Sequence, residues 1–149
     1  MGWVDALRGQ VVGLDTMPLI YWIEEHPTYL AIVLPFFEAL ERGEVQVLTS
    51  TVTIIEVLVN PIRRNDLDLA QRYRDRLFAT RWLTTVPLSP AIAEEAAKLR
   101  AMYNLRTPDA VQLATAISEG TAAFLTNDVR LPRLSRPRVL VLDELRTQA

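Results

Sequence analysis

Four acidic residues stand where the chain can use them as metal ligands: Asp15, Glu56, Asp109 and Asp128. Asp15 closes the apolar run Val11-Val12-Gly13-Leu14, and Asp128 closes the run that begins at Ala122. Both runs read as buried strands. In open parallel sheets the ligand site lies beyond the carboxyl ends of the strands, where the strand order reverses. If these two strands are neighbours, about 5 Å apart, their carboxylates face one crevice and can share a cation. Asp109 falls in the first turn after Thr107-Pro108, a helix start signal. Glu56 lies within Val52-Thr53-Ile54-Ile55-Glu56-Val57-Leu58-Val59 and shares a helical stripe with Val52 and Val59. A carboxylate in so apolar a run is expected to be buried only if it is paired or ligates a metal.

Four carboxylates converging without cations would repel one another, and some would have to take up protons. One or two Mg²⁺ or Mn²⁺ ions remove that conflict, and oxygen-only ligation selects hard cations of this kind. Such ions can bridge a scissile phosphate, generate hydroxide from bound water and stabilise the leaving oxygen. Each acid also has a purely structural reading. Asp15 can cap a helix beginning near Thr16, Asp109 can complement a helix dipole, Asp128 can shape a turn with Asn127, and Glu56 can pair with an arginine.

Composition narrows the alternatives. The chain has 149 residues, half of them hydrophobic, which suits one domain with a sizeable core, spanning 1–149 with its centre at about 11–142. There is no cysteine, which removes disulfides, thiolate nucleophiles and cysteine-based zinc sites. The one histidine, His26, reads as part of an exposed helix end in Glu24-Glu25-His26-Pro27, so histidine-centred catalysis has little to build on. Neither a Walker A motif nor G-x-G-x-x-G is present, which argues against nucleotide-cofactor chemistry. No apolar stretch approaches the ~18 residues a membrane span needs, and no signal-peptide pattern opens the chain, so a cytoplasmic protein is expected. The formal net charge is −2, yet fifteen of the sixteen basic residues are arginine, the side chain whose planar fork suits phosphate. Arg130, Arg133, Arg136 and Arg138 cluster near the C-terminus.

The positioning elements follow from periodicity and punctuation. Strands are predicted at 11–14, 46–49, 83–88, 122–126 and 139–142. Helical patterns fill 16–42 with a break near His26-Pro27, 51–59 with a stop at Asn60-Pro61, 67–81, from Ser89-Pro90 to about Tyr103, and from Thr107-Pro108 to Gly120. Strands alternating with helices imply an α/β fold with a mostly parallel sheet covered on both faces. Tyr21, Trp22, Phe36, Phe37, Tyr73 and Trp82 are expected mainly in the core, with some surplus for a dimer face or a partner helix.

Taken in order, Gly13-Leu14-Asp15-Thr16, Thr49-Ser50-Thr51-Val52-Thr53-Ile54-Ile55-Glu56, Arg106-Thr107-Pro108-Asp109-Ala110-Val111-Gln112-Leu113-Ala114 and Phe124-Leu125-Thr126-Asn127-Asp128 resemble the PIN-domain family, and within it the VapC-type toxin ribonucleases. Met17 and Val129-Arg130-Leu131 depart from the family's usual pattern. The resemblance implies a five-stranded sheet in the order 3-2-1-4-5. It implies Mg²⁺ or Mn²⁺ held by Asp15, Glu56, Asp109 and Asp128, with Thr16, Thr126 and Asn127 in support. It further implies endonucleolytic cleavage of RNA, a homodimer and a small antitoxin partner.

On this reading Asp15 and Asp109 hold the principal metal, Glu56 binds or orients the attacking water, and Asp128 completes the shell or holds a second ion. Arg106 and Arg130 are the candidates for guiding the RNA backbone, in which case added salt weakens binding. Two other readings share the same residues: an RNA-processing nuclease with no toxin role, and a binding module whose acids are structural. An aspartate-nucleophile phosphatase would want Asp-x-Asp after the first strand, and Asp15-Thr16-Met17 lacks it.

Overall fold

In the computed structural model, which describes residues 2–146, strands and helices alternate as the hydrophobic pattern requires. The elements are β1 (Val11–Leu14), α1 (Thr16–Ile23), α2 (Leu30–Glu41), β2 (Gln46–Ser50), α3 (Val52–Arg63), α4 (Leu67–Ala79), β3 (Leu83–Val86), α5 (Pro90–Tyr103), α6 (Thr107–Ser118), β4 (Ala123–Thr126), β5 (Arg138–Val141) and α7 (Leu142–Leu145). The strands pair in the order β3-β2-β1-β4-β5, every neighbour parallel. β1 therefore lies between β2 and β4, and the chain's return from β3 to β4 makes the β1/β4 junction the point where strand order reverses.

Alternating side chains of the strands feed two cores. On one face Val12, Leu14, Leu125 and Leu140 pack with Trp22, Phe36, Phe37 and Tyr73 from α1, α2 and α4. On the other, Phe124, Val139 and Val141 pack with Ile92, Leu99, Val111 and Leu113 from α5 and α6. The expected aromatic core is thus found, with Trp82 more exposed than the rest. α6 lies unusually close to β1, because a Cβ on Gly13 would stand 2.8 Å from the Ala116 Cβ and 3.0 Å from Phe124 Cδ1.

Two expectations change, and the surroundings of Glu56 become explicit. Pro61 does not stop α3, which runs on to Arg63. Its ring is buried, and the carbonyl of Pro61 accepts the Asp66 N–H in the turn that follows. Thr107 is not a cap: Arg106 occupies the N-cap position, in extended backbone and without a side-chain cap bond, and Thr107 is the first helical residue. The run holding Glu56 is not buried all round, since Ile55 and Val59 face solvent and Glu56 is half-buried. The start signal at Ser89 holds, its side chain accepting the Ile92 N–H, and Asp66 caps α4 in the same way by accepting the Leu69 N–H. Gly43, just past the C-cap Arg42 of α2, adopts φ +73°, the left-handed conformation glycine tolerates without strain. Among the described residues no helix is long and apolar enough to cross a membrane.

Candidate active site

The register of β1 on β4 places Leu14 opposite Leu125, so Asp15 emerges beside Thr126. The backbone carries this one residue further, Asp15 N donating to Leu125 O at 2.9 Å. Both oxygens of the Asp15 carboxylate are then held. Oδ1 accepts the Thr16 N–H at 2.8 Å, which makes Asp15 the N-cap of α1, and Oδ2 accepts the Thr126 hydroxyl at 2.7 Å. Thr126 Oγ1 also accepts the Asp128 N–H at 3.0 Å, which ties the fourth acid to the first. The capping role weighed for Asp15 is therefore real and coexists with its place in the cavity.

Asp15, Glu56, Asp109 and Asp128 line one cavity of about 450 Å³, together with Met17, Tyr21, Asn60, Arg106, Asn127 and Arg130. The four acids come from four separate elements, which the fold brings to the carboxyl end of the sheet. Glu56 reaches in from α3, and its Oε1 accepts the Thr16 hydroxyl at 2.6 Å. No arginine pairs with it among the described residues. Asp109 projects from the first turn of α6. A larger cavity of about 770 Å³ lies elsewhere, between α1, α2 and α4, but its Arg72, Arg76 and Arg81 are interleaved with Glu25, Glu41 and Asp75.

Burial pushes the Asp15 carboxyl up from 3.8 to about 6. The charges of Asp109 and Glu56 push the same way, against the stabilising bonds from Thr126 and Thr16. Asp128 is shifted down, chiefly by the hydrogen bond from the Arg130 side chain. Its Oδ1 also accepts the Arg130 N–H at 2.9 Å, the turn role considered for it.

Below the acids lies a buried polar network that sequence reasoning left without a role. Gln112 on α6 donates from Nε2 to Thr53 Oγ1 at 2.6 Å and to Thr16 Oγ1 at 3.2 Å, while its Oε1 accepts the Ser50 N–H at 3.2 Å. Thr49 spends its hydroxyl hydrogen on Leu14 O, at 2.8 Å, so the 2.7 Å bond between Thr49 and Thr53 must be donated by Thr53. Glu56 stands at the end of this chain as a pure acceptor. The signal was present in the sequence: Gln112 is the one amide in Ala110-Val111-Gln112-Leu113-Ala114, an otherwise apolar turn.

Asn127 does not touch the acids. It donates to the Tyr21 hydroxyl at 3.2 Å and accepts the Asp143 N–H at 3.2 Å, bracing the cavity wall. His26 stays out of the site, its Nδ1 accepting the backbone N–H groups of Thr28 and Tyr29. Of the arginine cluster, Arg133 pairs with Glu144 and Arg136 bonds Gly120 O, so only Arg130 faces the cavity.

The family model of the PIN domain matches residues 12–137. The chain belongs to the PIN-domain family. Among solved structures, this PIN domain is similar to that of VapBC2 from Rickettsia felis bound to a DNA fragment from its promoter, at 16% identity and TM-score 0.70 over 88% of this chain and 98% of the other. It is similar to a toxin–antitoxin complex from Klebsiella pneumoniae at 25% identity, TM-score 0.64, over 89% and 97% of the two chains. VapC20 of Mycobacterium tuberculosis, a toxin described as cleaving the sarcin–ricin loop, matches at 13% identity, TM-score 0.62, over 76% and 86%. No curated protein matches the chain by sequence.

The four carboxylates of the PIN-domain cavity offer oxygen donors only, the chemistry that selects a hard divalent cation. By chemistry the residues fit such an ion. By present arrangement, no group of three or more His, Cys, Asp or Glu side chains among the described residues is poised to hold one, and Asp109 and Asp128 each face a guanidinium.

Proposed function

We propose that this PIN-domain protein is a divalent-metal-dependent endoribonuclease and the toxin of a toxin–antitoxin pair, read as one nuclease domain working in the cytoplasm. The observation that carries this is the convergence of four acids from four elements on one cavity at the strand-order reversal. The likeness to toxin–antitoxin complexes, and to a toxin described as cleaving the sarcin–ricin loop, supports the biological setting and the substrate class.

Asp15, Glu56, Asp109 and Asp128 would hold Mg²⁺ or Mn²⁺, which when bound supplies Lewis acidity at the phosphate and lowers the pKa of water. The chain's own groups do the positioning. Asp15 is fixed from both sides by Thr16 and Thr126, which sets where its charge lies. Glu56 uses Oε1 to accept from Thr16, leaving Oε2 to orient the attacking water and accept its proton. The new bond joins water oxygen to phosphorus, the bond to the 3′ oxygen breaks, that oxygen takes a proton from solvent, and the products carry a 5′-phosphate and a 3′-hydroxyl. Arg106 and Arg130 stand at the rim, where cationic forks suit the RNA backbone.

A second copy of the chain and a small antitoxin are the expected partners. Surplus apolar surface remains on the aromatic helices, at Leu34, Leu67 and Phe78, and α3 adds a stripe in which Ile55, Val59 and Ile62 are 69, 42 and 57% exposed at helical spacing. We assign this stripe to a homodimer.

The test is incubation of the purified protein with structured RNAs in Mn²⁺ and in EDTA, with mapping of the cut ends. Cleavage in Mn²⁺ that leaves 5′-phosphates, stops in EDTA and is lost in Asp15→Asn is the expected result. Undiminished cleavage by Asp15→Asn, or no cleavage but equal RNA binding in EDTA, overturns the assignment.

A further inference from the structure

The two arginines at the rim occupy every oxygen of the acids they touch. Arg106 donates from Nε to Asp109 Oδ2 at 2.9 Å and from Nη2 to Oδ1 at 3.2 Å. Arg130 donates from Nε to Asp128 Oδ1 at 3.0 Å and from Nη2 to Oδ2 at 3.1 Å. Both forks approach from outside: the arginine side chains are 67 and 71% exposed, the carboxylates 13 and 19%. The two pairs line the same cavity, close enough for Arg106 to act on the charge of Asp128 and for Asp109 to act on Arg130.

A carboxylate whose two oxygens face a guanidinium does not present them to a metal ion, and a second cation brought to the same oxygens is repelled by the first. The guanidinium fork fits a phosphate as well as it fits a carboxylate. Ion pairs this exposed are held weakly enough to exchange.

Resting on the reading of the site as a divalent-metal ribonuclease, we propose that Arg106 and Arg130 are exchangeable counter-ions. They hold Asp109 and Asp128 in the cation-free protein, yield them to the cation, and then take the phosphates of the RNA backbone. Cation entry and substrate binding are thereby coupled through the same two side chains. Arg133 supplies an internal control. It makes an equally forked pair with Glu144, at 2.8 and 2.6 Å, beside a different cavity.

The experiment is calorimetric titration of Mn²⁺ into the whole protein without RNA, for the wild type, Arg106→Gln, Arg130→Gln, the double variant and Arg133→Gln. Each rim substitution is expected to tighten Mn²⁺ binding about two- to five-fold, and the double variant more, from the strength of exposed ion pairs. Arg133→Gln should leave the affinity unchanged. Adenosine 5′-monophosphate then serves as a phosphate probe. The wild type should bind it better once Mn²⁺ is present, and the double variant should lose most of that gain although it binds Mn²⁺ more tightly. Mn²⁺ affinity that is equal or weaker in the rim variants overturns the exchange and leaves the nuclease reading standing. Failure of every folded variant to bind Mn²⁺ overturns both.

Discussion

The hydroxyl of Thr126 donates to Oδ2 of Asp15 at 2.7 Å, joining the ends of two strands whose residues lie 111 positions apart. Thr126 Oγ1 in turn accepts the backbone N–H of Asp128, so one small side chain sets the spacing of two acids. Thr126→Val keeps the shape and removes the bond, leaving a buried carboxylate oxygen without its donor, at a cost of about 1–3 kcal/mol. The acid limb of the pH–rate profile should move to higher pH, because a bond that favours ionised Asp15 is gone. Thr126→Ser should restore the wild-type limb. A profile unmoved by the valine substitution would remove Thr126 from the site's support.

Asp15 also sets the pH response of the metal-free protein. Its folded value of about 6 lies above the ordinary 3.8, so between these values the folded state holds a proton that the unfolded chain has released. Stability is therefore full below about pH 4 and falls as pH rises through 6, by about 3 kcal/mol for a shift of this size. Urea unfolding of the metal-free protein across pH 4–7 should show the loss, and Asp15→Asn should flatten it. Equal slopes for the two proteins would contradict the burial argument. Mn²⁺ should raise the melting temperature of the wild type at pH 7 and leave Asp15→Asn nearly unchanged.

Gln112 is 2% exposed and serves Thr53, Thr16 and the Ser50 N–H at once. Gln112→Leu is nearly isosteric and leaves those partners unsatisfied in the interior, which should cost about 2–4 kcal/mol. Chemical denaturation measures that loss. Because the network ends on Glu56 through Thr16, kcat should fall more than KM rises. Retention of full stability and kcat would show the amide to be dispensable.

The α3 stripe is tested by charge. Ile55→Asp with Ile62→Asp places two carboxylates in the apolar strip without touching the cavity lining. Light scattering should give a dimer mass for the wild type and a monomer mass for the variant. A wild type that is monomeric at high concentration, or a variant that stays dimeric, rules out this face.

Much of the candidate site is legible in the sequence, because it depends on strand ends and helix starts. Asp15 and Asp128 follow apolar runs, and Ser89-Pro90 marks the onset of α5, so local rules place these features to within a residue or two. What escaped depends on packing. Pro61 stays inside α3 because it lies in the last turn with its ring buried, a tertiary circumstance that overrides its usual role as a stop. The pairing of Arg106 with Asp109 and of Arg130 with Asp128 turns on side-chain direction, which spacing alone leaves open. Gln112 shows the middle case. Its odd chemistry within an apolar turn was visible, but its partners on β2, α3 and α1 emerge only when the helix is laid on the sheet.

The absence of a side chain at Gly13 reaches further than the packing it permits. With a methyl group there only 2.8 Å from Ala116, the strand that ends in Asp15 and the helix that begins near Asp109 are pressed together with no spare thickness between them. The gap across which two acids would grip an ion is consequently a property of the main chain. It is set two residues upstream of the first acid and seven downstream of the second, and so the fit of a bound ion would be governed from a position that never meets the ion.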